Sequence, residues 1–269
     1  MNCAALEVSK HHRGGSIKIE GSSLIPLPGW LCYRFPMDQA LGKIMKTKKS
    51  VPTSLAIFAL VCIGSLLYNG LLPLSEEYLI SQLQQTPLNL QIKPLQQKKI
   101  TSCGEAAITM AYNYAYPESP VKELDVVAFA TEKGYYTDDR PPFTSPEDMV
   151  KIAKYYADDV TSGRVTTQER GLELLMQKLR NNEPVIIDVL TRLDDPYSGA
   201  HFVLVTGISM DPKNEGVVII HYNNPLTARN ESASWAGDRG VWNAWQNNDD
   251  PGGSGWWMVI LAPKWSVIF

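Results

Sequence analysis

The residue best suited to nucleophilic chemistry is Cys103, which lies in the segment TSCGEAA. The apolar spacing that follows predicts a helix from about residue 102 to residue 114, so Cys103 falls in its first turn. The positive end of a helix dipole favours a thiolate, and Gly104 would leave room for a substrate beside the sulfur. These features predict a nucleophile with a lowered pKa, and the alternative is a small buried side chain without a chemical role.

His201 and Asn224 have side chains that could activate such a thiol. His201 follows Gly199 and Ala200 and begins the apolar stretch HFVLVTGI, and Asn224 comes two residues after the apolar stretch VVIIHY. A thiol nucleophile needs a base, and the imidazole of that base needs a third group to orient it, which an Asn carbonyl can do. Taken singly, His201 is more typical of an ordinary core or surface histidine, and Asn224 of a turn residue.

Two residues near Cys103 bear on the same chemistry. Gln97 lies six residues before Cys103, and its side-chain amide could donate to an oxyanion together with the backbone N–H of Cys103. Gln96 is adjacent, so the choice between the two glutamines stays open. A carboxylate at Glu105 would raise the thiol pKa if it faced the sulfur.

The chain has no Cys and His spacing typical of a metal site.

The order Gln97, Cys103, His201, Asn224 is that of papain-type enzymes, and residues 91–262 resemble the peptidase family-39-like domain, which is related to bacteriocin-processing cysteine peptidases. The resemblance rests on Gln97-x5-Cys103-Gly104 with the Ala-rich segment EAAITMAYNY, and on GAHFVLVTG around His201. It also rests on Asn224-Pro225 after a strand and on a Trp-rich C-terminal region containing Trp242, Trp245, Trp256 and Trp257.

This resemblance implies a papain-like α+β fold, in which a helical half with Cys103 packs on an antiparallel sheet with His201 and Asn224. It implies thiol-dependent hydrolysis of a peptide or amide bond in a peptide or protein substrate, with no metal or organic cofactor. Cys103 would be the nucleophile, His201 the base and then the acid, Asn224 the group that orients His201, and Gln97 part of the oxyanion hole. Many members carry Asp where this chain has Asn224, which orients a histidine without adding charge.

Two other functions are compatible with the same residues. One is a catalytically silent domain that keeps the fold and binds peptides or cell-wall material. The other is an acyl transferase of the transglutaminase-like kind, which would use the same Cys–His–Asn set with an amine acceptor.

The hydrophobic pattern predicts helices before strands, which favours an α+β fold over an alternating α/β fold. Beyond the helix at Cys103, helices are predicted near residues 121–133, 145–157 and 168–181, the second of them capped by Ser145 with Pro146 at its first position. Strands are predicted at residues 184–190, 202–208, 217–222 and 256–261, which are apolar and rich in β-branched residues.

The chain before residue 91 has a different character. Residues 1–44 mix Gly, Ser, Pro and basic residues, which predicts a disordered segment or an over-extended start with Met45 as an alternative first residue. Residues 55–74 are uncharged, and as a helix they would span roughly 30 Å, the thickness of the hydrocarbon core of a bilayer. Residues 75–90 are predicted to be a polar linker to the folded domain at 91–262.

The charges beside that apolar stretch predict its orientation. Lysines at 46, 48 and 49 precede it, and glutamates at 76 and 77 follow it. Residues 45–74 are therefore predicted to be a single-pass membrane anchor, with the N-terminus in the cytoplasm and the domain outside. A cleaved signal peptide is the alternative, and it would make the domain a secreted protein.

Composition excludes several classes of protein. The chain has 269 residues, of which 44% are hydrophobic and 20% charged, so it is neither wholly disordered nor collagen-like. A net charge of −3 gives no reason to expect a nucleic-acid partner. Residues 1–74 have a net charge of +5 and residues 75–269 a net charge of −8, which predicts different environments for the two parts.

Overall fold

The computed structural model of the protein describes residues 76–85 and 88–263. The segments predicted at residues 1–44 and 45–74, including the predicted membrane anchor, lie outside these residues. Within the described ranges, no helix is both long enough and apolar enough to cross a membrane. The helices of these ranges are α1 (Glu76–Gln85), α2 (Cys103–Ala115), α3 (Glu123–Glu132), α4 (Pro146–Tyr156), α5 (Gln168–Arg180) and α6 (Val241–Gln246).

The strands pair into one sheet. They are β1 (Leu88–Asn89), β2 (Val160–Arg164), β3 (Val185–Leu190), β4 (Ala200–Met210), β5 (Val218–Asn224), β6 (Arg229–Ser234) and β7 (Trp256–Ile260). Their order is β2-β7-β3-β4-β5-β6, β1 pairs with β4, and each pair is antiparallel. Because Leu204 lies opposite Asn223, the start of β4 and the end of β5 meet at the same end of the sheet.

Alternate residues of the central strands face two separate cores. On one face, Ile186, Leu204 and Met258 pack with residues of α2, α3 and α4. On the other face, Ile187 and Val205 pack with residues of α1, α5 and α6. The strands are buried on both faces, which is why their sequences are almost continuously apolar. The predicted α+β class is confirmed, and the sheet has a helical layer on each side.

The elements predicted from the hydrophobic pattern are present, with ends that differ from the prediction by about one or two residues. The predicted start of α4 is confirmed in detail, since the Ser145 hydroxyl accepts a hydrogen bond from the Asp148 backbone N–H and Pro146 is the first helical residue. Thr167 caps α5 in the same way, by accepting from Arg170. These caps satisfy N–H groups that have no partner inside a helix.

The predicted linker at residues 75–90 differs from the structure, because it contains α1 and the short strand β1. Leu79 and Leu83 are each 1% exposed and belong to the core that α5 and the sheet form. Their i, i+4 spacing places them on one face of the helix, and that face is buried. The folded part of the chain therefore begins at least as early as Glu76, before the predicted boundary at residue 91.

Besides α1 and β1, two further strands and one further helix were not predicted. Strands β2 (VTSGR) and β6 (RNESAS) have polar sequences because they lie at the two edges of the sheet. Helix α6 has only six residues and is fixed by its buried residues Val241, Ala244 and Trp245. Tertiary contacts determine these elements, so the local pattern gives little signal for them.

Gly255, which precedes β7, provides a test of this architecture. It has a φ of +63°, and an added Cβ would clash with the backbone carbonyl of Val165. Gly255→Ala is expected to lower the free energy of unfolding by at least about 2 kcal/mol more than Gly134→Ala. Gly134 is a matched control, since its φ is +71° but nothing lies within 4 Å of an added Cβ. Chemical denaturation measures both costs, and equal costs would contradict the predicted clash.

Candidate active site

A buried hydrogen-bond network positions Cys103 at the N-terminus of α2. The Ser102 hydroxyl donates to Oε1 of Glu123 at 2.7 Å and accepts from the backbone N–H of Lys99 at 3.1 Å. The same Glu123 oxygen accepts from the backbone N–H of Lys98 at 2.8 Å. Ser102 and Glu123 are almost completely buried, so this network fixes the turn that leads into Cys103.

Gly104 packs closely against other elements and does not line the cavity, which differs from the expectation that it leaves room for a substrate. Gly104 is buried, and a Cβ there would lie 2.5 Å from Sδ of Met149 and 3.2 Å from Cδ2 of Phe202. A glycine at this position allows α2 to approach α4 and β4 closely. The small size of Gly104 therefore serves the packing of α2 beside Cys103.

Cys103 and His201 line the same cavity, which has a volume of about 380 Å³. The half-buried Cys103 lies on the helical side and the buried His201 on the sheet side. Gln97 and Leu226 also line this cavity, together with Phe143, Thr144, Asp249 and Asp250. The fold therefore brings Gln97, Cys103 and His201, which are far apart in the sequence, to one pocket.

Asn224 holds the ring of His201. Nε2 of His201 lies 2.8 Å from Oδ1 of Asn224, and both residues are buried. Oδ1 of Asn224 also accepts from the backbone N–H of Leu226 at 2.9 Å, so the amide oxygen faces the ring. A carbonyl oxygen only accepts, so Nε2 carries the proton and Nδ1 of a neutral ring keeps a free lone pair.

The neighbouring residue Asn223 has a different role. Its side-chain amide donates to the backbone carbonyl of Ile92 at 2.8 Å and accepts from Asn230 at 3.0 Å. Asn223 is fully buried and ties β5 to β6 and to the segment that precedes α2. The structure thus brings Asn224, and not Asn223, to His201.

The charge state of Cys103 differs from the expectation. Burial raises the pKa of the Cys103 thiol to about 12, and the nearby carboxyl groups of Glu105 and Asp188 raise it further. The backbone N–H groups of Phe202 and Gly104 lower this pKa, but by less. Among the described residues, no other side chain is hydrogen-bonded to the Cys103 sulfur, whose hydrogen-bond partners are the backbone N–H groups of Phe202 and Gly104. The predicted lowering of the thiol pKa is therefore wrong for this structure, because burial outweighs the helix N-terminus.

Burial shifts the pKa of His201 downward, whereas it shifts the pKa of Cys103 upward. Burial lowers the pKa of His201, while the hydrogen bond to Asn224 and the charge of Glu231 raise it. A neutral imidazole thus accompanies a neutral thiol in this structure. The resting pair is uncharged at neutral pH, unlike a thiolate–imidazolium pair.

Two buried carboxyl groups near Cys103 explain part of the increase in its thiol pKa. Glu105 accepts from the Thr144 hydroxyl at 2.6 Å, and burial raises the Glu105 pKa to about 7. Asp188 is fully buried on β3, and burial together with the adjacent carboxyl of Asp250 raises its pKa. Sequence reasoning noted Glu105 but missed Asp188. The signal for Asp188 was a single carboxylate inside the apolar strand VIIDVL, since unpaired acids are rarely fully buried.

The side-chain amide of Gln97 is already engaged. Its Nε2 donates to the backbone carbonyls of Lys99 at 3.0 Å and Ile100 at 2.7 Å. Its Oε1 is buried and has no hydrogen-bond partner within the described residues. An oxyanion would therefore have to replace one of these two carbonyls as an acceptor. The neighbouring Gln96 binds the backbone carbonyl of Leu226 at 2.8 Å and does not line the cavity.

The described residues include no cluster of three or more His, Cys, Asp or Glu side chains that could hold a metal ion. The arrangement can perform general-base activation of a thiol, with the proton passing to Nδ1 of His201.

Alkylation of Cys103 tests the role of Glu105. Glu105→Gln is expected to leave the rate of iodoacetamide labelling unchanged at about pH 5.5, because the Glu105 carboxyl is protonated there. At about pH 9 the variant should react roughly threefold to tenfold faster, because the wild-type carboxylate opposes the thiolate. Mass spectrometry of the tryptic peptide that contains Cys103 measures the rate separately from the other cysteines.

Glu118→Gln is the control for that measurement, since Glu118 is exposed and does not line the cavity. Equal rates for the Glu105 and Glu118 variants at about pH 9 would show that Glu105 does not act on the thiol.

Comparison with known proteins assigns the chain to a family. The model of the peptidase C39-like family matches residues 89–250, which include Gln97, Cys103, His201 and Asn224. No curated protein matches the chain. The match covers more than half of the chain, and its limits agree with the described domain apart from α1 and the last strand. The chain therefore belongs to the peptidase C39-like family.

Proposed function

We propose that the protein is a cysteine peptidase-like hydrolase, which cleaves a peptide or amide bond of a peptide or protein substrate through Cys103, His201 and Asn224. The observation that supports this most directly is the 2.8 Å hydrogen bond between His201 and Asn224, beside a cavity that Cys103 and His201 both line. This bond leaves Nδ1 of His201 unprotonated, which is the state that a general base requires.

The first half of the reaction forms an acyl-enzyme. Cys103 transfers its proton to Nδ1 of His201 as the sulfur attacks the carbonyl carbon, which gives a tetrahedral oxyanion. His201 then donates that proton to the leaving nitrogen, and the C–N bond breaks to release an amine. Proton transfer accompanies the attack because the thiol and the imidazole are both neutral at rest.

The second half of the reaction releases the acid. A water molecule gives a proton to His201 and attacks the thioester carbon, and the C–S bond then breaks. The proton returns to the sulfur, so Cys103 and His201 end in their starting states. An amine in place of this water would give acyl transfer, so the site alone does not favour one acceptor.

The oxyanion requires donors at the N-terminus of α2. The backbone N–H of Cys103 lies at the start of this helix, and we assign the second donor to Nε2 of Gln97. Because Nε2 of Gln97 binds Lys99 and Ile100 at rest, one of these bonds must be exchanged for the oxyanion. The substrate would therefore complete the oxyanion hole as it binds.

A silent peptide-binding domain is the second candidate function. Two observations favour it: the raised thiol pKa of Cys103 and the engagement of the Gln97 amide with backbone carbonyls. In such a protein the cavity would bind a peptide without cleaving it. Turnover by the wild-type protein separates the two functions.

We also propose that residues 55–74 anchor the protein in a membrane with the domain outside the cytoplasm. The support is the uncharged 20-residue stretch, with lysines before it and glutamates after it. The alternative is a cleaved signal peptide and a secreted domain.

Substitutions at the proposed triad test the hydrolytic function. Cys103→Ala should abolish hydrolysis of a mixture of fluorogenic peptides. Asn224→Ala should lower kcat by about tenfold to a hundredfold, because His201 loses the acceptor that orients it. Mass spectrometry of products formed with an added amine distinguishes hydrolysis from acyl transfer.

Asn223→Ala is the matched control for Asn224→Ala. It is expected to affect stability more than kcat, because Asn223 binds Ile92 and Asn230 instead of His201. Thermal unfolding of each variant shows whether a loss of turnover is a loss of folded protein. A smaller kcat for Asn223→Ala than for Asn224→Ala, at equal folded fraction, would contradict the proposed triad.

A reporter fused after Phe269 tests the orientation of the domain. A reporter that is active only outside the cytoplasm should be active at this position, because lysines before an apolar stretch remain in the cytoplasm. Replacing Lys46, Lys48 and Lys49 by Glu should reduce this activity. Activity of a reporter that works only in the cytoplasm would contradict the proposed orientation.

A further inference from the structure

A carboxylate lies behind the hydrogen bond that orients His201. Nδ2 of Asn224 donates to Oε2 of Glu231 at 3.0 Å. Glu231 lies on β6 directly opposite Tyr222 of β5, and Asn224 follows Tyr222 by two residues. Residues two apart on a strand point to the same face, so the pairing of β5 with β6 places Glu231 diagonally beside Asn224.

The Glu231 carboxylate is held in place on both oxygens. Oε1 accepts from the Thr227 hydroxyl at 2.5 Å, while Oε2 accepts from Asn224. The phenol of Tyr222 lies beside the carboxylate. Its pKa is raised to about 12, mainly by burial and to a smaller extent by the charge of Glu231. The Tyr222 phenol therefore stays protonated at neutral pH, so it adds no second negative charge beside Glu231.

This arrangement determines which way the Asn224 amide faces. An amide side chain can present its oxygen or its nitrogen to a neighbour. The backbone N–H of Leu226 requires the oxygen on one side, and the Glu231 carboxylate requires the nitrogen on the other. Both partners select the orientation in which Oδ1 accepts from Nε2 of His201.

We propose that Glu231 is a positioning residue of the hydrolase, which acts through Asn224 to fix the orientation and tautomer of His201. This inference rests on the proposed function. A carboxylate at the end of a chain of hydrogen bonds polarises the amide and makes its oxygen a better acceptor. It also favours the imidazolium that forms when His201 takes the Cys103 proton.

The charge of Glu231 already acts on His201 in the resting structure. It raises the pKa of His201, together with the hydrogen bond to Asn224, against the larger effect of burial. The other titratable groups that line the cavity with His201 are Cys103, Asp249 and Asp250. Among these neighbours and Glu231, it is the Glu231 carboxylate whose charge raises the pKa of His201. Glu231 is thus the negative charge that stabilises a protonated base.

Three variants of the full-length chain test the proposal by moving the charge. Glu231→Gln keeps an acceptor for Asn224 but removes the charge. Asn224→Asp places a second carboxylate at the position that now donates to Glu231 at 3.0 Å. The double variant Asn224→Asp/Glu231→Gln has one carboxylate again, at position 224, with an amide at position 231 that can donate to it.

Two measurements report on each variant. Peptide hydrolysis gives kcat and KM, and NMR of labelled histidine rings gives the titration midpoint of His201, assigned with a His201→Gln variant. Glu231→Gln should lower the midpoint by about half to one pH unit and kcat by about threefold to tenfold, with little change in KM. Asn224→Asp should lose at least about tenfold in kcat at neutral pH, because two adjacent carboxylates repel each other.

The double variant provides the rescue. It should recover kcat to within about threefold of the wild type and raise the His201 midpoint above the wild-type value, since the charge is now in direct contact with the ring. Glu215→Gln is the control for charge removal, because Glu215 is exposed in the turn between β4 and β5, at the other end of the sheet from His201.

Two outcomes would overturn the proposal. One is a His201 midpoint that is the same in the Glu231→Gln and Glu215→Gln variants. The other is a double variant that is no better than Asn224→Asp. If the wild type hydrolyses no peptide, the proposed function fails, while the His201 titration still decides whether Glu231 acts on the ring.

Discussion

The turn between β5 and β6 is the constraint on which both sides of the cavity depend. The turn begins at Asn224, whose side-chain oxygen Oδ1 accepts from His201 and from the backbone N–H of Leu226. It ends where the backbone N–H of Ala228 donates to the backbone carbonyl of Asn224 at 2.9 Å. The next carbonyl, that of Pro225, accepts from the backbone N–H of Gln97 at 2.9 Å. One turn therefore orients His201 and anchors the segment that leads to Cys103, so the helical and sheet sides of the cavity are positioned together.

Burial determines the chemical state of the site. The same exclusion of water that strengthens the His201–Asn224 bond also disfavours a thiolate at Cys103 and an imidazolium at His201. The carboxyl groups of Glu105 and Asp188 raise the thiol pKa of Cys103, while the charge of Glu231 raises the pKa of His201. The carboxyl groups near Cys103 disfavour a thiolate, and the carboxylate near His201 favours a protonated imidazole. In the proposed reaction, this arrangement would favour proton transfer during the attack of the sulfur.

The sequence predicted the elements whose signals are local. Helix α4 has a cap and a proline at its start, and β3 and β4 have apolar runs, so their types and approximate ends follow from pattern alone. Strand β6 and its residue Glu231 gave no such signal, because RNESAS is a strand only by pairing with β5. The candidates Gln97, Cys103, His201 and Asn224 came from their order and their family resemblance. The sequence named Glu105 as a residue that could raise the thiol pKa, but the larger effects could not be predicted, since they depend on how the fold encloses the half-buried Cys103 and on Asp188, which is distant in sequence.

An uncharged resting pair is compatible with catalysis, because the barrier depends on how well the ion pair is stabilised when it forms. Moving a proton from Cys103 to His201 leaves the net charge of the cavity unchanged and creates a dipole. The backbone N–H groups of Phe202 and Gly104 favour its negative end, and the chain from Asn224 to Glu231 favours its positive end. These groups are fixed by β4, by α2 and by the pairing of β5 with β6, so they need no rearrangement as the charges develop. A fold that only bound peptides would require a pocket of this shape, but it would not require the chain of hydrogen bonds from His201 through Asn224 to Glu231.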